Sequence, residues 1–268
     1  MKFQLALCQM KVSMDKKQNL SAAEAMIREA AEKGSQVIAL PEMFNCPYSN
    51  KYFREYAETK EGETVRFLSS LARELKIYLV GGSIPELEND KVYNTSFSFN
   101  KEGELIGRHR KIHLFDIDIK GGIRFMESET LTPGDAVTIL DTEFCRIGVA
   151  ICYDVRFPEL FRKMALEGVR LVILPGAFNM TTGPAHWDLT MRARALDNQI
   201  YFAAVSPARD TEGPYQAYGN SCIVNPWGEF SGRTDAGESI VYAKVDLDYV
   251  EDIRNQLPLL KHRRPSAY

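Results

Sequence analysis

Histidine is scarce in this 268-residue chain, with four in all. No two of them stand four apart on a predicted helix, and no carboxylate–histidine signature surrounds them, so a metal site is not expected. The five cysteines (Cys8, Cys46, Cys145, Cys152, Cys222) are scattered and form no C-x-x-C pair. That excludes a disulfide framework and a zinc ribbon and fits a reducing compartment. No run reaches the roughly 18 apolar residues of a membrane span, and Met1–Leu7 reads at once as a strand, without the apolar segment and small-residue cleavage site of a signal peptide. A cytoplasmic location is expected. The net charge is −3 with acids and bases interspersed, so neither nucleic acid nor an anionic membrane is an expected partner. No Pro/Gly/Ser-rich linker divides the chain, which is expected to form one domain over 1–268. Small-molecule chemistry without a cofactor is left.

Apolar spacing gives an alternating α/β order. Leu5 to Gln9 and Gln36 to Leu40 read as strands, with a helix between them whose face is Leu20, Ala23, Ile27, Ala30 and Ala31, closed by Gly34. Val65, Leu68, Ala72 and Leu75 mark a second helix before a strand at Ile77–Val80. Val92–Phe99 and Glu104–Arg108 then read as a hairpin across Lys101-Glu-Gly103. The order recurs in the second half: strand Cys145–Ile151, helix Pro158–Glu167, strand Arg170–Leu174, helix Pro184–Leu196, strand Tyr201–Ser206. Leu40-Pro41-Glu42 matches Leu174-Pro175-Gly176, and the stretch from Asn94 to Gly103 matches that from Gly219 to Gly228. Two copies of one α/β unit imply two sheets packed face to face with helices outside, an αββα sandwich.

The strand Cys145–Ile151 delivers Cys152 to a turn before the helix that Pro158 starts. Helix-start amides there are expected to favour its thiolate. An arbitrary cysteine is more often a packing residue, and Glu42, after its own apolar strand, would alone be a solvated loop carboxylate. Both strand ends can converge at one mouth, since ligand sites in α/β sheets lie beyond the carboxyl ends of strands. Glu42 then becomes a general base and acid for the thiol. Lys111 stands in a basic cluster with Arg108 and Arg110 but precedes apolar Ile112, Leu114 and Phe115, which argues for cover. A buried ammonium would stabilise an oxyanion, with the backbone N–H of Tyr153 as second donor. A cysteine–histidine pairing with His113 or His186 remains open on sequence grounds.

Glu42, Lys111 and Cys152 together resemble the Glu-Lys-Cys triad of the nitrilase superfamily of carbon-nitrogen hydrolases, and the resemblance covers nearly the whole chain. Phe44-Asn-Cys-Pro-Tyr48, Lys111–Asp118, Phe125–Gly134 and Pro175–Trp187 resemble its omega-amidase branch, which acts on 2-oxo acid amides. The resemblance implies the αββα fold and a thioester mechanism. It implies a second glutamate at Glu127 that orients substrate or water, with Glu129 beside it as a solvated carboxylate. It also implies dimers or larger assemblies, with residues 257–268 as an extended arm crossing to a neighbour. The alternative is the same fold and triad acting on another amide, an N-carbamoyl compound or a nitrile.

Arg156 follows the nucleophile by four residues, at a helix start where a cation is disfavoured unless an anion compensates it. A guanidinium offers a bidentate seat for a carboxylate. Asn179, Thr181 and Thr182 are expected to complete that seat with hydroxyl and backbone donors, and Tyr48, Phe115 and Phe178 to line the pocket. Trp187 and Trp227 are expected to be structural.

Overall fold

Alternate residues of the first strand face two different cores, and the computed structural model follows from that division. It describes residues 1–120, 124–213 and 215–267. In chain order the elements are β1 (Lys2–Gln9), α1 (Lys16–Glu32), β2 (Val37–Ala39), α2 (Asn50–Tyr56), α3 (Glu63–Leu75), β3 (Tyr78–Val80), β4 (Ile84–Glu88), β5 (Lys91–Phe99), β6 (Leu105–Arg110), β7 (Asp116–Asp118) and β8 (Arg124–Met126). There follow β9 (Thr138–Asp141), β10 (Arg146–Val149), α4 (Pro158–Leu166), β11 (Val169–Pro175), α5 (Gly183–Asn198), β12 (Tyr201–Val205), β13 (Cys222–Val224), β14 (Phe230–Arg233), β15 (Ser239–Asp246) and α6 (Leu247–Gln256).

One sheet runs β15-β1-β2-β3-β5-β4, with β6 also on β5; the other runs β14-β13-β12-β11-β10-β9. Leu5, Leu7, Val37 and Ala39 meet Ile147, Val149, Leu171 and Ile173 between the sheets. Ala6, Cys8, Ile38 and Leu40 point the other way, to α1 and α3, while Val172 and Leu174 pack under α4 and α5. Successive side chains of a strand point to opposite faces, so strands buried on both sides read as continuous apolar runs. The layers are therefore helix, sheet, sheet, helix: the αββα sandwich.

The internal repeat is visible atom for atom in its two hairpin turns. Asn100 Oδ1 accepts from the N–H groups of Glu102 and Glu104, and Asn225 Oδ1 accepts from those of Trp227 and Glu229. Gly103 and Gly228 close the two turns at φ +75° and +84°, where a side chain would be strained.

Several features depart from the sequence reading. α2, β4, β9, α6 and the β7–β8 ribbon were not foreseen. The foreseen extended arm is instead a run of turns over residues 257–267, with Lys261 and His262 both donating to the carbonyl of Pro258; Tyr268, its last residue, lies outside the described residues. Trp187 is fully buried, but Trp227 sits on the hairpin turn at 47 % exposure and supports no core.

Candidate active site

Glu42, Lys111 and Glu127 are each 1 % exposed or less, and burial at that level demands partners for every charge. Lys111 follows β6 directly, its N–H held by the carbonyl of Asn94 and its carbonyl by the N–H of Gly134. Its ammonium lies 3.0 Å from Glu42 Oε1 and 2.9 Å from Glu127 Oε1. Tyr48 donates its hydroxyl to Glu127 Oε1 at 2.5 Å and stands 3.3 Å from Glu42 Oε1. Asn94 Nδ2 donates to Glu42 Oε1 at 2.8 Å, the N–H of Ala177 to Glu42 Oε2 at 2.8 Å, and the N–H of Phe115 to Glu127 Oε2 at 2.7 Å. Ala177 follows the second Leu-Pro motif, so one half of the repeat holds the carboxylate supplied by the other.

Cys152 begins a short 3-10 turn, Cys152–Arg156, at φ +44°. A non-glycine residue there is held by its surroundings at some cost, and Asp154 does the holding. Its carboxylate accepts from the N–H of Ile151 (2.9 Å) and of His113 (2.9 Å), and binds His113 Nδ1 (2.7 Å) and His109 Nε2 (3.1 Å). His109 and His113 flank Lys111, so Asp154 ties the nucleophile turn to the strand that carries the ammonium. No sequence signal singled out Asp154; only its place two residues after the nucleophile could have done so. Both histidines are thereby engaged on Asp154, and His186 on Arg156.

Burial lowers the proton affinity of Lys111, but Glu127 and Glu42 together more than reverse this, and the ammonium stays charged. Burial, with Glu42 beside it, raises the Glu127 carboxyl against the pull of Lys111. Burial and then Glu42 also push the Cys152 thiol well above its ordinary range, although Lys111 and the N–H of Ala177 pull the other way. This corrects the expected helix-favoured thiolate. Cys152 begins a five-residue 3-10 turn with little dipole, and burial together with Glu42 outweighs it.

A cavity beside Cys152 is lined by Phe115, Tyr153, Arg156, Ala177, Phe178, Asn179 and Thr182. The Arg156 guanidinium lies 5.1 Å from the Phe178 ring centre and 3.2 Å, through Nη1, from His186 Nδ1; its buried Nε has no hydrogen-bond partner among the described residues. Asn179 Oδ1 gathers the N–H groups of Thr181 and Thr182 and the Thr182 hydroxyl, while its buried Nδ2 has no partner among the described residues. The expected donor set is corrected accordingly: Thr181 is exposed and off the cavity, and the threonine donors point to Asn179. Tyr48 joins the carboxylates and not this cavity's wall. Glu129 is exposed and paired with Arg124.

Residues 4–255 match the family described as carbon-nitrogen hydrolase. The chain belongs to the carbon-nitrogen hydrolase family. Among curated relatives of this hydrolase, Omega-amidase NIT2 of Xenopus tropicalis is 53 % identical over 267 residues, covering 100 % of this chain and 97 % of that protein. Omega-amidase NIT2 of Homo sapiens is 50 % identical over 266 residues, covering 99 % and 96 %. The crystal structure of Saccharomyces cerevisiae Nit3, a member of the nitrilase superfamily, superposes with a TM-score of 0.91 at 46 % identity over 98 % of this chain and 97 % of that one. A mutant of the amidase from Nesterenkonia sp. AN1, which shows Michael addition of acrylamide at its active-site cysteine, superposes at 0.80 with 25 % identity over 96 % of this hydrolase and 98 % of that chain.

Proposed function

We propose that this carbon-nitrogen hydrolase is an omega-amidase that converts the monoamide of a 2-oxo dicarboxylic acid, 2-oxoglutaramate or 2-oxosuccinamate, to the 2-oxo acid and ammonia. The observation that carries the reading is the shared cavity of Cys152 and Arg156, whose guanidinium Nε has no partner among the described residues. The full-length relatives named omega-amidase support the same substrate class.

Glu42 takes the Cys152 proton as sulfur attacks the amide carbon. The tetrahedral oxyanion is met by the Lys111 ammonium and the N–H of Tyr153. Glu42 returns the proton to nitrogen, the C–N bond breaks, and ammonia leaves a thioester. Glu42 then draws a proton from water, whose oxygen attacks the thioester and releases the acid and the thiol. Glu127, bound to Lys111 and Tyr48, fixes the ammonium and orients the substrate amide or water. Phe115 and Phe178 wall the acyl chain, and Arg156 with Asn179 Nδ2 receives its far carboxylate.

A second reading keeps the triad and changes the acyl group to another amide, an N-carbamoyl compound or a nitrile. Arg156→Ala decides between them. It is expected to cut kcat/KM for 2-oxoglutaramate at least about tenfold, since a charge-assisted bond contributes on the order of 1.5–3 kcal/mol, and to leave butyramide unchanged. Equal losses for both amides would remove the carboxylate seat from the account.

The same reading places the chain in the cytoplasm as one domain and as a homodimer or larger homo-oligomer. Among the described residues no helix is long and apolar enough to cross a membrane. Leu189 and Leu196 on α5 and Leu166 on α4 are 67 %, 39 % and 51 % exposed, which supports an assembly through these helices.

A further inference from the structure

Glu42 lines a second cavity, whose described lining does not include Cys152. This cavity, about 40 Å³, is lined by buried Glu42, Cys46 and Tyr48 and by the partly exposed Val12 and Asp210. Tyr215 lines it as well. Its ring centre lies 4.7 Å from that of Tyr48, the rings tilted by 34°, and its hydroxyl donates to the carbonyl of Ala177, the residue whose N–H holds Glu42.

We propose that this second cavity is the chamber through which ammonia leaves and the hydrolytic water enters. The proposal rests on the thioester reading above. In acylation a C–S bond forms, the C–N bond breaks, and the thiol proton passes through Glu42 to nitrogen. In deacylation a C–O bond forms, the C–S bond breaks, and a water proton passes through Glu42 to sulfur. Between the two steps ammonia must be exchanged for water while the acyl chain, bonded to Cys152, fills the Arg156 cavity. That exchange needs access on the side of Glu42, which is where the second cavity lies.

Charge sorts the traffic in the same direction. The described lining of the second cavity includes Glu42 and Asp210 but neither lysine nor arginine, whereas the first holds Arg156. Ammonia, ammonium and water suit an acidic passage, and a dicarboxylate product is repelled from it.

The experiment follows the acyl-enzyme as it partitions between water and hydroxylamine, a larger neutral nucleophile. The ratio of hydroxamate to acid is measured in the wild type, Val12→Trp and Asp210→Lys, using whichever linear amide the wild type turns over. An unsuitable acyl group therefore sinks the substrate reading alone and leaves this one testable. Narrowing the rim with Val12→Trp should lower the ratio at least about fivefold while the first-turnover ammonia burst keeps its wild-type rate. Asp210→Lys should raise the ammonium concentration needed for half-maximal product inhibition severalfold. Unchanged partitioning in Val12→Trp would overturn the proposal. So would a matching loss in kcat/KM for the amide, which would make the cavity the substrate's own entrance.

Discussion

Asp154 carries four hydrogen bonds on two carboxylate oxygens, and three of the four come from His109 and His113, which flank Lys111. Burial alone would raise its carboxyl, but His109, His113 and the N–H of Ile151 hold it far below the ordinary carboxylate range. A folded-state value depressed in this way contributes stability that is present above the unfolded value of about 4 and is lost as pH falls below it. Thermal melts from pH 7 to pH 3 should therefore steepen near pH 4 in the wild type. Asp154→Asn, whose amide nitrogen must face one of the donors, should be less stable at pH 7 by a few kcal/mol and lose that dependence. Its kcat, corrected for the burst-active fraction, should fall by about 10- to 100-fold with KM little changed. A lower melting temperature with normal kcat per active site would make Asp154 structural only. Glu42 and Cys152 were legible because each follows an apolar strand, and Lys111 because apolar Ile112, Leu114 and Phe115 follow it. Asp154 was not, since its meaning lies in residues more than 40 positions away.

Short elements position the triad. β2 and β3 have three residues each and were legible as apolar runs, and their ends set the Glu42 loop. Gly82, two residues past β3 at φ +56°, lies so close to that loop that a Cβ would stand 2.2 Å from the carbonyl oxygen of Pro41. Neither backbone can yield cheaply. Gly82→Ala is expected to cost on the order of 1–3 kcal/mol by the clash and the left-handed conformation together, and to lower kcat by displacing Glu42. Chemical denaturation together with ammonia release checks both; an unperturbed variant would mean that the loop is not held there. β15 shows a limit. It pairs antiparallel with β1 along its whole length, Lys2 opposite Asp246 through Gln9 opposite Ser239. No local pattern in either strand announces a partner more than 200 residues away.

At the scale of the whole chain, the repeat in the sequence accounts for the architecture: two α/β halves, their sheets face to face, the Leu-Pro ends of β2 and β11 meeting where Ala177 holds Glu42. The outer face of α5, with Leu189 and Leu196 seven residues apart, belongs to the same scale. Light scattering at micromolar concentration should give a dimer or larger assembly, and Leu189→Asp should shift it toward the monomer. A wild-type monomer would refute the assembly. The central claim is that the buried cluster drives amide hydrolysis through a thioester on Cys152. Its most direct test is acid quenching of the wild-type enzyme during turnover of 2-oxoglutaramate, followed by peptide mapping by mass spectrometry. The account predicts an acyl adduct on the peptide containing Cys152, released by hydroxylamine as a thioester is; an adduct on any other residue would contradict it.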